Sequence, residues 1–294
     1  MSAGGLGAWA GGGWRLSPAL LALALLLFAT YLAGWLRMRR RGLARSAAAW
    51  RALAFALGLA TVLAAFDSPA QALSRRLVSF LVLEHELLGL VAAPLLLLGL
   101  PGPAWAWGLP AAWRRRALPR LLHWRPLRAL GRMLFRVPVG WLGFAWILGL
   151  GLLPPVEQWV RSATAGQEVT LTLFLVSGLA FWGPVIGYSL HGRRLRPAAG
   201  MAYIGGFVPV LWIASVVLLF GGDILYARRD EALPLGFTAL MDQQVAGAGL
   251  LVVSILYVSA FLVEVAAWLE AGDADARSRG TPARVILLHR RRSA

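Results

Sequence analysis

Seven stretches of this sequence are long and apolar enough to cross a membrane as helices, and this pattern constrains the fold more than any other feature. A membrane-spanning helix needs about 20 mostly apolar residues. The connections between the stretches are short and leave no room for a separate soluble domain. We therefore predict an all-α polytopic membrane protein with seven transmembrane helices. They cover residues 17–36, 49–66, 77–100, 137–155, 169–189, 201–221 and 245–268.

These spans predict a single transmembrane domain, residues 1–268, followed by a basic cytoplasmic tail, residues 269–294. The composition agrees, because 14% of the residues are charged and 59% are hydrophobic, whereas a soluble globular protein carries roughly 25% charged residues. The lack of Cys excludes disulfides and thiolate metal sites. The lack of Lys excludes a retinal-type Schiff base.

The distribution of Arg predicts the orientation of the chain. All 29 basic residues are Arg, and if the N-terminus is outside, 23 of them face the cytoplasm, within residues 37–51, 114–136, 193–196 and 277–292. Cytoplasmic loops carry the excess of basic residues in membrane proteins. We therefore expect the N-terminus outside and the C-terminus in the cytoplasm. The net charge of +16 then reflects topology and contact with anionic lipid headgroups in the bilayer, and not nucleic acid as a partner.

One basic segment, Trp113–Arg136, is predicted to lie along the membrane surface. From Arg128 onward, Arg recurs at every fourth position beside Leu and Trp. This spacing is typical of an amphipathic helix in the interface. Pro119 and Pro126 are expected to interrupt the segment.

The third apolar stretch contains three consecutive ionisable residues, Glu84, His85 and Glu86. In the predicted orientation they lie about 10–14 Å below the outer end of the helix, at about 1.5 Å per residue. Because successive positions on a helix differ by about 100°, the three side chains fan over roughly 200° and cannot all face one point. Ionisable residues inside a membrane indicate a functional site. Pro94, later in the same helix, is expected to kink or loosen it.

Other polar residues fall at the same outer level and complete a candidate extracytoplasmic cation or metal site. An alternative interpretation is that Asp67 and Asp242 are helix caps, and that Gln243 and Gln244 form hydrogen bonds between helices. The residues at this level are Asp67, Glu157, Gln167, Glu168, Met241, Asp242, Gln243 and Gln244.

The opposite, inner end of the bundle is predicted to contain few acids. Glu264 is expected there, either snorkelling to the interface or paired with Arg. His123, His191 and His289 are all predicted to be cytoplasmic, which leaves His85 as the single intramembrane His. This argues against an internal haem with two His ligands.

Four segments, in order, resemble the family of CtaG-type cytochrome c oxidase (caa3) assembly factors. FDSPAQALSRRLVSFLVLEHELLGLVAAPLLLLGLP (Phe66–Pro101) resembles its hallmark segment, in which an S-P turn leads into a helix with a Gln-His pair and an A-P-P-L-L-like run ending in G-x-P. SGLAFWGPVIG (Ser177–Gly187) resembles the family's S-G-L-L-F-W-W-P-V, and the GDILYA segment (Gly222–Ala227) follows the sixth span. MDQQVAGAGLL (Met241–Leu251) resembles D-Q-Q-x-A-G-L.

The resemblance implies a multi-pass protein of the bacterial cytoplasmic (inner) membrane that helps to mature a haem-copper terminal oxidase, by helping copper to reach it. It implies cytochrome c oxidase subunits as partners and no turnover chemistry of its own. The family's characteristic residues carry over at Asp67, Pro69, His85, Pro94, Trp182, Pro184, Asp242, Gln243 and Gln244.

The sequence departs from the family at its candidate copper ligands. The His expected one turn before His85 is replaced by Leu81, and the His pair expected before the S-G-L-L-F-W segment falls on Gln167 and Leu171. Carboxylates poorly replace soft donors for Cu(I). Copper is the metal that the resemblance implies, with His85, Glu84, Glu86, Asp242 and Met241 as its candidate ligands. The alternative is a divergent member of the family that binds metal weakly or not at all. No haem is expected.

Two other functions fit the sequence. A small copper or proton transporter or channel would use the Glu84–Glu86 cluster as an intramembrane relay, although only Glu264 is predicted near the inner face. A scaffold without metal would dock on oxidase subunits, with its acids paired to Arg75 or Arg76. No enzyme is predicted, because the sequence contains no nucleophile elbow, Walker loop or H-E-x-x-H motif.

Overall fold

Apart from short connections, the chain is helical in the part that the computed structural model describes, which comprises residues 17–43, 48–99, 101–162, 164–187, 194–222, 225–226, 236 and 238–280. The helices are α1 (Pro18–Arg40), α2 (Ala49–Asp67), α3 (Pro69–Ser74), α4 (Val78–Glu86), α5 (Ala93–Leu98), α6 (Pro101–Gly108), α7 (Ala111–His123), α8 (Arg125–Leu134), α9 (Val137–Gly151), α10 (Pro154–Ser162), α11 (Thr164–Ile186), α12 (Pro197–Gly205), α13 (Val208–Phe220) and α14 (Ala239–Gly280). A π-helical segment, Leu87–Ala92, joins α4 to α5. Asp223, Ile224 and Ala227 of the GDILYA segment, His191, His289 and residues 281–294 lie outside the described residues.

Six of these helical stretches are long and apolar enough to cross a membrane. They are Pro18–Arg40, Ala49–Asp67, Val78–Leu98, Ala165–Ile186, Pro197–Phe220 and Ala239–Asp273. A seventh span is possible only if α8 and α9 are counted together, and these two helices meet at an angle of 70°. The prediction of an all-α, polytopic membrane protein is thereby confirmed, with six to seven spans.

The predicted fourth and seventh spans have different boundaries in the structure. The fourth was expected over residues 137–155, but α9 ends at Gly151 because Pro154 begins a new helix, α10. Proline at the first helical position favours such a start. The seventh was expected over residues 245–268, yet α14 begins at Ala239 and continues to Gly280, 42 residues in all. The predicted tail therefore begins inside this helix.

The third span is the central helix of the bundle. Within its most apolar window 61% of the residues are buried, compared with 22% for α1, α2 and α14. Its middle is the π-helical segment Leu87–Ala92, which ends just before Pro94. Proline lacks the N–H that would bond to the carbonyl of Leu90, four residues earlier, so the regular ladder cannot pass this point. The expected loosening of this helix by Pro94 is confirmed.

Aromatic side chains fill the core beside this central span. The Phe181 ring centroid lies 4.8 Å from that of Phe207 and 5.8 Å from that of Tyr257. Trp182 packs 5.4 Å from Tyr257, and its indole N–H donates to the Gly89 carbonyl at 3.1 Å. This last hydrogen bond supplies a donor to the π-helical segment, where the regular ladder is disturbed.

A second, smaller core joins α1, α2 and α6. Tyr31 and Phe55 stack with their ring centroids 4.1 Å apart, and the Tyr31 hydroxyl donates to the Gly99 carbonyl at 2.9 Å. α1 and α6 approach so closely that a Cβ at Gly34 would collide with the Ala104 carbonyl. Small residues at helix contacts permit this kind of approach in membranes.

The predicted surface segment, Trp113–Arg136, is largely exposed. It falls mostly on α7 and α8, and Trp113, Leu121 and Leu130 are each more than half exposed. Its location along the membrane surface stays a prediction. Pro119 lies inside α7 and does not interrupt it, which corrects the prediction. The break falls at Trp124, and Pro126 stands in the first turn of α8, where its missing N–H has no cost.

Candidate functional site

Buried polar side chains gather at one end of the bundle, which we call the polar end. It is formed by the end of α2, by α3 and α4, and by the first turns of α11 and α14. Its buried polar members are Asp67, Ser74, Ser79, Glu84, His85, Glu86, Gln167, Asp242 and Gln243. At the opposite end, Arg37 Nη1 donates to the carbonyls of residues 107–109, and Arg51 Nη1 donates to the Leu98 carbonyl at 3.3 Å. The acids and the Arg-rich connections are therefore separated along the bundle axis.

Glu84 belongs to a hydrogen-bonded chain that ends at an Arg. Gln167 Nε2 donates to Glu84 Oε2 at 3.3 Å and to Ser74 Oγ at 2.8 Å, while Arg75 Nε donates to Gln167 Oε1 at 3.0 Å. The side chain of Glu84 is fully buried. Its Oε1 has no hydrogen-bond partner among the described residues. Gln167 thus connects a buried acid to a cation at the end of the bundle.

His85 faces a different part of the core. Its ring stacks on Phe174 of α11, with the ring centroids 4.0 Å apart and the planes 9° from parallel. Gly151, at the end of α9, leaves space beside it, since a Cβ there would lie 3.7 Å from His85 Nδ1. His85 Nε2 is buried and has no hydrogen-bond partner within the described part of the chain. The imidazole is held by stacking, and its buried Nε2 is unused.

Glu86 faces α14. A Cβ at Gly249 would lie 3.9 Å from Glu86 Oε2, so the absence of a side chain at Gly249 accommodates this carboxyl group. Glu86 Oε1 is another buried oxygen for which the described residues provide no hydrogen bond. Glu84, His85 and Glu86 therefore have three separate sets of neighbours, as the helical geometry predicts.

Asp242 caps the central span from another helix. Its carboxylate accepts hydrogen bonds from the backbone N–H of Val78 at 2.6 Å, from the N–H of Ser79 at 3.0 Å and from Ser79 Oγ at 2.5 Å. The N-cap residue of α4, Leu77, has no side chain that could do this. Unpaired N–H groups at a helix start need such acceptors. Asp242 is a cap, as one interpretation of the sequence held, but of α4 and not of its own helix.

The other predicted polar residues have varied surroundings. Asp67 Oδ2 accepts from the Ser17 N–H at 3.2 Å and so ties the start of α1 to the end of α2. Gln243 forms hydrogen bonds that join α14 to α13 and to the connection after it. It accepts from the Leu225 N–H at 2.9 Å and donates to the Leu218 carbonyl at 3.3 Å. Met241, Glu168 and Gln244 are exposed, Glu157 is buried, and Pro184 lies inside α11.

This arrangement does not resemble a resident copper site. Among the described residues, no group of three His, Asp or Glu side chains is placed to hold a metal ion. Asp242 uses both oxygens in capping α4, and the Met241 side chain is 46% exposed. The donors that remain are one imidazole nitrogen and carboxylate oxygens, a poor set for Cu(I). Binding of copper by the five candidate ligands, His85, Glu84, Glu86, Asp242 and Met241, stays a prediction.

At the end of the bundle opposite the polar end, the described residues include a buried acid with its partner. Glu264 is 2% exposed and forms an ion pair with Arg194, whose side chain also donates from Nε to the Val185 carbonyl at 3.0 Å. The predicted pairing of Glu264 with an Arg is confirmed. A Cβ at Gly200 would collide with the Glu264 carboxyl group, so Gly200 makes room for it.

Sequence reasoning did not identify Ser74, Ser79, Phe174 or Gly249 as parts of this region. For Ser79 a signal existed, because Leu77 cannot cap the helix that follows it and the first turn of the third span therefore needs an acceptor from elsewhere. For Phe174 and Gly249 there is no local signal, since an apolar residue or a glycine in a membrane helix has many structural uses.

The polar end and the central span lie within a segment that matches a known family. The model of the cytochrome c oxidase caa3 assembly factors (Caa3_CtaG) matches residues 29–271. No curated protein and no solved structure matches the chain significantly. The matched segment covers most of the sequence, including all nine residues that carry the resemblance noted above. The chain therefore belongs to the family of cytochrome c oxidase caa3 assembly factors.

Proposed function

We propose that the protein is a non-enzymatic assembly factor of a haem-copper cytochrome c oxidase in the bacterial cytoplasmic membrane, and that it assists the arrival of copper at the oxidase from the extracytoplasmic side. The observation that carries this proposal is the family match over residues 29–271 of a multi-pass chain. The Arg distribution supports an extracytoplasmic location of the polar end, because the connections richest in Arg lie at the opposite end of the bundle.

His85 is the side chain best suited to meet copper in transit. It is the one imidazole among the buried residues of the polar end, and its Nε2 has no described hydrogen bond. A single nitrogen does not hold a resident ion, so copper is cargo in this proposal. The remaining ligands would come from the oxidase or from a soluble carrier, which fits a protein that acts on a partner.

The proposal is tested by deleting the gene and measuring assembled oxidase by its haem absorbance in membranes. We expect a loss of assembled oxidase that added copper partly restores. Complementation with His85→Ala should leave the defect, whereas His123→Ala, an exposed His on α7, should restore wild-type levels. Normal oxidase content in the deletion strain would refute the assembly role itself.

A second candidate function is a scaffold that docks on oxidase subunits without handling metal. The specific observation in its favour is that Asp242 and Gln167 are engaged in hydrogen bonds that join helices. The two functions differ in two measurements. If the scaffold is correct, added copper does not rescue the deletion strain, and His85→Ala complements it fully.

The transporter is less well supported. A relay through the membrane needs polar groups that follow one another closely, and Glu264 at the other end is already paired with Arg194. Between these levels, the aromatic core of Phe181, Phe207 and Tyr257 occupies the centre of the bundle.

A further inference from the structure

A cavity of about 360 Å³ lies at the Arg-rich end of the bundle, opposite the polar end. It is formed where the end of α1 meets the connection from α6 to α7. The residues that matter for its chemistry are Arg37, Arg40, Arg41, Arg114, Trp107 and Leu109. Four Arg residues thus line one space, with a Trp and a Leu beside them.

Three of these four Arg side chains are held in place by the fold. Arg37 Nη1 donates to the carbonyls of Trp107 at 2.6 Å, Gly108 at 2.9 Å and Leu109 at 3.3 Å, which caps the end of α6. The guanidinium carbons of Arg41 and Arg114 lie 4.7 Å and 5.0 Å from the Trp107 ring centroid. Guanidinium groups carry five N–H donors each, so these contacts leave donors available to a ligand.

These charges lack acidic partners in the part of the chain that the structure describes. No Asp or Glu occurs in residues 1–66 or 87–156, the regions that form the cavity. The partial negative charge at the C-terminal end of α6 balances the positive charge of Arg37. The positive charges of Arg40, Arg41 and Arg114 have no acidic side chain to balance them among the described residues. Like charges around one cavity repel each other, and an anion between them would remove this cost.

We propose that this cavity binds the phosphate group of an anionic phospholipid. Arg recognises phosphate through paired N–H donors, and several Arg residues around one space match its several oxygens. Trp is enriched at the level of lipid headgroups, and basic pockets between membrane helices bind such headgroups. α1, which provides Arg37 and Arg40 and is followed directly by Arg41, is itself a candidate membrane span, so the cavity lies at the end of a span, where a lipid headgroup is available.

The test is a lipid titration of the purified full-length protein in detergent, followed by its thermal unfolding. We expect phosphatidylglycerol to raise the melting temperature and phosphatidylcholine to have little effect. The double variant Arg41→Gln/Arg114→Gln should weaken the apparent affinity for phosphatidylglycerol about 25-fold, since each Arg contributes roughly five-fold.

The matched control is Arg39→Gln/Arg116→Gln, which removes the same charge from the same two helices. Arg39 lies over Trp35, and Arg116 is exposed about 200° around α7 from Arg114, so neither lines the cavity. Arg40→Gln provides a milder variant in case the double variant does not fold. An equal loss in control and cavity variants, no preference for phosphatidylglycerol, or an equal stabilisation by inorganic phosphate would each overturn the proposal. This site is independent of the role in oxidase assembly.

Discussion

Replacement of Asp242 should destabilise the whole bundle, because this side chain joins α14 to the start of the central span. Asp242→Ala removes the acceptor of three hydrogen bonds and leaves the N–H groups of Val78 and Ser79 buried. A hydrogen bond to a charged group contributes about 1.5–3 kcal/mol, and each orphaned buried donor costs about 1–3 kcal/mol. Because the lost hydrogen bonds and the orphaned donors are partly the same contribution, we expect the free energy of unfolding to fall by about 3–5 kcal/mol.

Asp242→Asn makes the prediction more specific. An amide in the same position keeps one oxygen, which can still accept from Ser79, but it turns an NH₂ group toward the N–H of Val78. Two donors then face each other, and the favourable charge at the helix start is lost. We expect Asp242→Asn to lower the free energy of unfolding by about 2–3 kcal/mol, which is less than the loss expected for Asp242→Ala. Gln244→Ala, an exposed position two residues further along α14, should change stability by less than about 0.5 kcal/mol.

The assay is the free energy of unfolding in mixed detergent micelles, measured for the single variants and for Asp242→Ala combined with Ser79→Ala. Because the two side chains share a hydrogen bond of 2.5 Å, the double variant should lose less than the sum of the singles, by about 1–2 kcal/mol. Additive losses, or an Asp242→Ala variant as stable as Gln244→Ala, would refute the capping role.

Three further perturbations test other contacts by thermal unfolding. Gly34→Leu should separate α1 from α6 and cost about 3 kcal/mol or more, whereas Gly143→Ala, where a Cβ would meet nothing within 4 Å, should be nearly neutral. Arg194→Ala should cost about 1–3 kcal/mol because it leaves the buried Glu264 without its partner, while Arg196→Ala, at another exposed Arg, should cost under about 0.5 kcal/mol. Gln167→Leu should cost about 2 kcal/mol, since it removes the donor to both Glu84 and Ser74; a loss no larger than that of Gln244→Ala would contradict that bridge.

The membrane spans could be predicted from the sequence because apolar length is a local property. The same holds for the loosened helix at Pro94, which follows from a missing N–H, and for the fanning of Glu84, His85 and Glu86, which follows from helical periodicity. The pairing of Glu264 could be anticipated because a buried acid near a basic connection has few other partners. The early end of α9 could have been predicted from Pro154 and Pro155.

The connections between the polar residues could not be predicted in this way. Asp242, Gln167 and Asp67 were grouped by depth alone, and depth does not determine which neighbour each side chain contacts. Asp242 contacts the start of α4, 164 positions away in the sequence, and Glu84 contacts Gln167, 83 positions away. Such pairs depend on how the helices are arranged around one another, which periodicity within a single helix does not determine. The length of α14 beyond residue 268 was missed because its last turns are polar.

The cap that Asp242 places on α4 also bears on the order in which the chain is made. Ribosomal synthesis delivers Val78 to the membrane long before Asp242 exists, since 164 positions separate them. Until the last span enters the bilayer, the first turn of the central span has backbone N–H groups without their final acceptor, so water must satisfy them. The third span should therefore remain shallow, or be held by the insertion machinery, until synthesis is almost complete. A chain truncated before residue 239 would expose that unfinished turn to membrane proteases.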